Sequence, residues 1–204
     1  MSSPGRRPGD LLERLRLDLT RRRELMTALE PLLPDVARAA RLVADVYRAA
    51  GKVLLFGNGG SFAHALHLEA ELVGRIGMKR PPLSAIVLGA GQATLTALSN
   101  DFGYAQAFSR SVRALGRAGD VAIALSTSGR SENVIEAART AREMGIGTLV
   151  LTGRDGGALA PLGDVTIRVP FDDTPLIQEA HQVLVHLLAT AVESELFPDT
   201  LQAK

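Results

Sequence analysis

His67 and Glu71 stand four residues apart, a spacing that puts both side chains on one face of a helix. Gln178 and His186 lie near the other end of the chain, two helical turns apart and roughly on one side. An imidazole beside a carboxylate can move protons near neutral pH. The same four side chains also offer the nitrogen and oxygen donors that zinc accepts. The residue types leave both chemistries open, and spacing alone does not say whether the two helices meet. A single histidine on an apolar helix is most often a satisfied core residue, and His64 and His181 take that reading.

Three further clusters could hold an anion or a sugar. Gly57-Asn58-Gly59-Gly60-Ser61 follows the apolar run KVLLF. Its glycines permit a tight turn and close backbone approach, and the helix predicted after it offers free N–H groups and a positive dipole end. It lacks the Lys-Ser/Thr pair of a Walker A loop and does not read G-x-G-x-x-G, so nucleotide binding gains little support. Ser126-Thr127-Ser128-Gly129-Arg130-Ser131 places four hydroxyls at a second predicted helix start. One hydroxyl serves as a helix N-cap; the rest exceed what capping needs and suit a phosphate. Asn100-Asp101-Phe102-Gly103 has the composition of a turn and is uninformative alone.

The elements that must position these residues follow from hydrophobic rhythm. Short apolar runs at 52–56, 84–88, 120–125, 147–152 and 165–169 mostly lack polar alternation, as strands buried on both faces do. Stretches long enough for helical crossovers separate them. The expected fold is α/β, a three-layer, doubly wound parallel sheet of about five strands in one domain over 1–204. Residues 1–9 are expected to be disordered. Two helices fill 10–50, one with leucines at 12, 15 and 19 and one starting near Pro34 and stopped by Gly51. The sheet core and a last helix from about Pro175 to Phe197 occupy 51–204. The leucine stripe on the first helix has no obvious sheet to cover and needs a cover from elsewhere, such as a second subunit.

Composition narrows the function classes. The chain is 46% hydrophobic with a net charge of +1, so bulk charge calls for neither nucleic acid nor a membrane. Aromatics are 4% with no Trp, which disfavours base-stacking platforms. There is no Cys, so disulfides and thiolate metal sites are excluded. No segment reaches the roughly 18 apolar residues of a membrane span. The start MSSPGRRPGD has no apolar secretory core, and Asp10, Glu13 and Asp18 argue against a transit peptide, so a cytoplasmic protein is expected.

The run GNGGS…H-x-x-x-E-L-x-G-R, then S-N-D-F-G, STSG-x-S-x-N-V, TG-x-DGG and IQE…H resembles the sugar isomerase (SIS) domain, and more closely the sedoheptulose-7-phosphate, or phosphoheptose, isomerases. The resemblance covers nearly the whole chain. It implies an enediol isomerisation of sedoheptulose 7-phosphate to D-glycero-D-manno-heptose 7-phosphate by a homotetramer whose terminal helices pack between subunits. It implies that Ser126, Thr127, Ser128 and Ser131 hold phosphate, and that Asn58, Gly59, Gly60, Ser61, Asn100, Asp101 and Gln178 line the sugar site. Glu71 and His186 match the family's acid/base pair. His67, Glu71, Gln178 and His186 match the residues through which some members bind one zinc per subunit. The chain departs from the common pattern at Phe62, His64, Pro175 and Leu176, which bears on the exact sugar. Two other readings stand beside this one: an isomerase of another phosphosugar, and a non-catalytic tetrameric SIS protein that binds the replication initiator. Retention of both Glu71 and His186 favours an enzyme.

Overall fold

The structure, a computed structural model, describes residues 8–198; the expectation of disorder over 1–7 lies outside them. Five strands, β1 (Val53–Gly57), β2 (Ala85–Val87), β3 (Val121–Ser126), β4 (Gly147–Thr152) and β5 (Val165–Arg168), form one sheet. All pair in parallel, in the order β2-β1-β3-β4-β5. Each expected strand is found, with its ends moved by one residue at most. Among the described residues seven α-helices accompany them: α1 (Pro8–Ala28), α2 (Leu33–Arg48), α3 (Gly60–Val73), α4 (Gln92–Phe102), α5 (Ala107–Leu115), α6 (Glu132–Glu143) and α7 (Thr174–Leu196).

The three layers follow from the period-2 alternation of strand side chains. Val53, Leu55, Ile123, Leu125, Leu149 and Leu151 face a core shared with α2, α3 and α7. Leu54, Phe56, Ala122, Ala124 and Val150 face the opposite way, onto α5 and α6. Both faces are therefore dry, which explains why these strands read as unbroken apolar runs.

Two expectations need correction at the first helices. Helix α1 begins at Pro8, two residues earlier than expected. Gly51 does not itself take the left-handed conformation after α2; Ala50 does, at φ 58°. Gly51 is needed for space, since a Cβ there would lie 2.7 Å from the Gly119 carbonyl oxygen. Leu12, Leu15 and Leu19 are more than half exposed, so this chain alone leaves their stripe uncovered. Leu25 and Leu29, further along, are buried.

A buried ion pair fixes the exit from α3. The side chains of Arg80 and Glu193 are 1% and 2% exposed and meet at 2.8 Å. The guanidinium also donates to the carbonyls of Glu71 (2.7 Å), Leu72 (2.8 Å) and Pro81 (3.0 Å). Glu71 and Leu72 lie in the last turn of α3, where carbonyls lack helical partners. Glu193 accepts the N–H groups of Ile76, Gly77 and Met78. Burial pushes its carboxyl up, but these N–H groups and Arg80 together hold it below the usual range. Replacing Glu193 by Gln leaves the Arg80 charge buried and uncompensated. The expected cost is about 3–5 kcal/mol in denaturant unfolding; a loss under 1 kcal/mol would show the pair to be dispensable.

Candidate active site

The polar clusters gather where both-face burial allows, beyond the carboxyl ends of the strands. Gly57 pairs with Leu125, and Ser126 with Thr152, so β1, β3 and β4 end level. Adjacent to β1, the strand order reverses between β2 and β3. This is the switch-point crevice in which open α/β sheets bind ligands.

The β1 turn brings two glycines into use for different reasons. Gly59 has φ 55°, a conformation that L side chains rarely adopt. Gly60 has ordinary dihedrals but gives room to Gln178, whose side-chain amide would lie 2.4–2.9 Å from a Cβ placed there. Asn58 exchanges hydrogen bonds with Asn133 across the crevice, both at 2.9 Å, and its Oδ1 also accepts the Tyr104 hydroxyl at 2.7 Å. Asn133 and Tyr104 were not singled out as site residues in the sequence. Asn133 is the Asn of the STSG-x-S-x-N-V run and Tyr104 directly follows S-N-D-F-G, and their shared partner Asn58 is the signal that marks them.

The serine loop leaves β3 and enters α6. Ser126 Oγ and Ser131 Oγ lie 3.3 Å apart, and Ser126 Oγ accepts the Gly129 N–H. Ser128 Oγ accepts the Arg130 N–H. Ser131 occupies the N-cap position but makes no side-chain cap bond, contrary to expectation. Its hydroxyl turns to Ser126 instead, and helix N-termini favour anions. Thr127 accepts from Gly153 through its carbonyl, joining this loop to the one after β4.

Helices α3 and α7 run in the same direction, with Gly60 beside Gln178 and His67 beside His186. His67 Nε2 and His186 Nε2 are 2.7 Å apart, and Glu71 Oε1 lies 3.2 Å from His67 Nε2. Gln182 approaches His186 at 3.3 Å. The nitrogens and carboxylate oxygen of His67, Glu71 and His186 all fall within 4.8 Å of one another. Two imidazoles and a carboxylate converging this way fit a zinc ion chemically. Gln178 is not brought to the group within one chain: its amide stays at Gly60, about 10 Å of α3 rise from His67. The group lies at the surface, with the His67 side chain 40% and Glu71 19% exposed.

Asn100 and Asp101 do not form a turn. They end α4, Asn100 donating to the Asp101 carboxylate at 2.8 Å, and both are exposed. Neither lines the cleft of about 460 Å³ beside Asn58 and Gly59. Tyr104, Leu66, Leu95, Phe108 and the variant residue Phe62 do. Pro175 takes a first-turn position in α7 and Leu176 is buried in the core.

Behind the surface group lie the two remaining histidines. His181 is fully buried and, against the expectation of a satisfied core histidine, neither ring nitrogen has a partner of good hydrogen-bond geometry among the described residues, although the Thr152 backbone lies close; His64 Nδ1 is likewise buried and unpaired there. Burial pushes His181 down to about 4, with the Thr152 backbone opposing and His64 adding to the shift. Burial, then His67, lowers His64. His181 is thus neutral in the folded chain, whereas an unfolded His takes up a proton below about 6.5. The unfolded state then binds more protons between those values, so stability is lost as pH falls from about 6.5 towards 4. His181→Phe should flatten that part of a pH–unfolding profile. Equal losses for wild type and variant would place the sensitivity elsewhere.

The SIS domain family matches residues 20–153. Phosphoheptose isomerase from Geobacter sp. strain M21 is 45% identical over 92% of this chain and 98% of its own length. The enzyme of the same name from Helicobacter pylori strain P12 is 44% identical over 86% of this chain and 91% of that protein. Among solved structures, the phosphoheptose isomerase of Neisseria gonorrhoeae superposes with a TM-score of 0.85 at 40% identity, over 90% of this chain and 99% of that one. That of Francisella tularensis gives 0.86 at 35% identity, over 90% and 98%.

Proposed function

The chain belongs to the SIS-domain family and, within it, to the phosphoheptose isomerases, and from that premise we propose that it interconverts sedoheptulose 7-phosphate and D-glycero-D-manno-heptose 7-phosphate. The observation that carries this reading is the convergence of His67, Glu71 and His186 on one side of the α3–α7 pair, with the serine loop beyond the other end of α3.

The separation suits a phosphorylated seven-carbon chain. Gly60 and His67 are seven residues apart on α3, or about 10 Å. An extended chain gains about 1.2 Å per bond, so the bonds from C1 to a terminal phosphate span a similar length. Ser126, Thr127, Ser128 and Ser131 hold the phosphate in this reading, with Asn58, Gly59, Gly60 and Ser61 beside it. Asn100, Asp101 and Gln178 complete the sugar site only if another chain or a bound sugar draws them in. A homotetramer would supply that chain and cover the exposed α1 leucines. Consistent with a cytoplasmic enzyme, no helix among the described residues is long and apolar enough to cross a membrane.

The reaction moves one proton from C1 to C2 and one from O1 to O2. Glu71 removes a proton from C1 of the ketose, the electron pair forms the C1=C2 bond, and His186 gives a proton to O2. The resulting enediol loses its O1 proton to His186, and Glu71 returns a proton to C2, leaving an aldehyde at C1. Glu71 and His186 each end as they began. A zinc held by His67, Glu71 and His186, with Gln178 as a fourth ligand from elsewhere, would supply Lewis-acid polarisation of the carbonyl and would lower the basicity of Glu71 and His186, so tight ligation competes with their proton-transfer roles.

NMR of the purified protein with sedoheptulose 7-phosphate, with and without zinc, tests the reading. Anomeric signals of an aldoheptose 7-phosphate are expected; their absence beside turnover of another ketose phosphate would transfer the assignment to that sugar. Glu71→Gln should cut turnover by about 10²-fold or more with unfolding unchanged. Substantial retained turnover would remove Glu71 from the base role.

A further inference from the structure

The loop after β4, Gly153 to Gly157, is pressed against the serine loop more tightly than packing alone requires. Gly129 and Gly157 stand back to back, with φ of 63° and 53°. A Cβ on Gly129 would sit 1.9 Å from the Gly156 carbonyl oxygen, and one on Gly157 2.4 Å from the Gly129 carbonyl oxygen. Gly153 donates to the Thr127 carbonyl and Leu159 to that of Gly129. Across this contact Arg130 grips Asp155 with both ends of its guanidinium, at 2.8 and 2.5 Å. Nη1 of Arg130 also donates to the Ser128 carbonyl, and the Gly157 N–H donates to Asp155 Oδ1.

Both side chains of this pair are more than half exposed. An isolated exposed pair is weak, but a bidentate fork has a fixed geometry, and here it closes a ring that backbone contacts already define. Arg130 lies between Ser128 and Ser131, whose hydroxyls must point at one anion. A serine loop free to sample other conformations would pay an ordering cost on each binding event.

We infer that Arg130 and Asp155 are positioning residues, a latch that ties the serine loop to the loop after β4 and presets its hydroxyls for the substrate phosphate. The inference rests on the reading of Ser126, Thr127, Ser128 and Ser131 as the phosphate site. The latch is present throughout the neutral range, because Arg130 and the Gly157 N–H hold the Asp155 carboxyl down at about 2.

The experiment compares wild type, Asp155→Asn, Arg130→Met, the double variant and the charge swap Arg130→Asp/Asp155→Arg. It reads KM and kcat for sedoheptulose 7-phosphate, and affinity for inorganic phosphate by 31P NMR. Each single variant should raise KM and weaken phosphate binding about three- to fivefold with kcat nearly unchanged. The double variant should be no worse than either single one, and the swap should recover part of the loss. Unchanged phosphate affinity in both single variants would overturn the latch. So would a much larger loss for Arg130→Met than for Asp155→Asn with no recovery in the swap, since Arg130 would then touch the phosphate itself. If wild type fails to turn over the heptulose, the substrate assignment falls. The phosphate titration still decides the latch.

Discussion

Burying a parallel sheet on both faces leaves few places for polar groups. In this chain β1, β3 and β4 are almost wholly inaccessible along their length. Hydrogen-bonding side chains are tolerated there only at the ends, because an unpaired polar atom in a dry layer is costly. The carboxyl ends therefore collect Asn58, Ser126 and Thr127, and the β2-β1-β3 order opens a crevice between them. The Asn58–Asn133 exchange spans that crevice and satisfies both amides before any ligand arrives. Binding at this end thus begins from a set, hydrogen-bonded frame.

A second constraint acts on α3. The helix starts at the Gly59–Gly60 turn and ends where Arg80 takes its last carbonyls, so both its axial position and its length are fixed. His67 and Glu71 inherit that rigidity. Their partner His186 comes from α7, which is anchored further along by Glu193. One buried ion pair therefore bears on the proposed acid/base group from both helices that build it, meeting it only at the Glu71 main-chain carbonyl.

Much of this was legible in the sequence, for physical reasons. Strands buried on both faces cannot hide their apolar runs, so all five were visible. The four-residue spacing of His67 and Glu71 is a helix property and survived folding intact. What spacing could not show is which residues of two separate helices meet. Gln178 and His186 looked equivalent on α7, yet parallel alignment with α3 sends one to Gly60 and the other to His67. One hydroxyl of the serine loop is expected to cap α6, yet Ser131, which takes the N-cap position, makes no cap bond and lies beside the Ser126 hydroxyl instead. Asn133 and Tyr104 hydrogen-bond to Asn58; Asn133 lies inside a quoted motif without its contact being readable from it, and Tyr104 has no signature of its own. Asn-Asp-Phe-Gly read as a turn by composition and became a helix end, where the left-handed Gly103 accounts for the glycine.

On the proposed assignment, with phosphate at the serine loop and proton transfer at Glu71 and His186, the site is divided between two ends of one helix, and this has a chemical consequence. Phosphate binding at the serine loop does not itself distinguish the ground state from the enediol, since the phosphate is unchanged between them. Its binding energy contributes to rate only by holding C1 and C2 where Glu71 and His186 can reach them. The rigidity of the intervening helix is what couples the two ends. A loop in place of α3 would let the phosphate bind just as well while the reacting carbons wandered. The chain's departures from the common pattern respect this division: Phe62 lines the cleft beside the turn, Leu176 joins the core, and Glu71 and His186 keep their places. Variation in the cleft can therefore alter which sugar fits without altering how the proton moves.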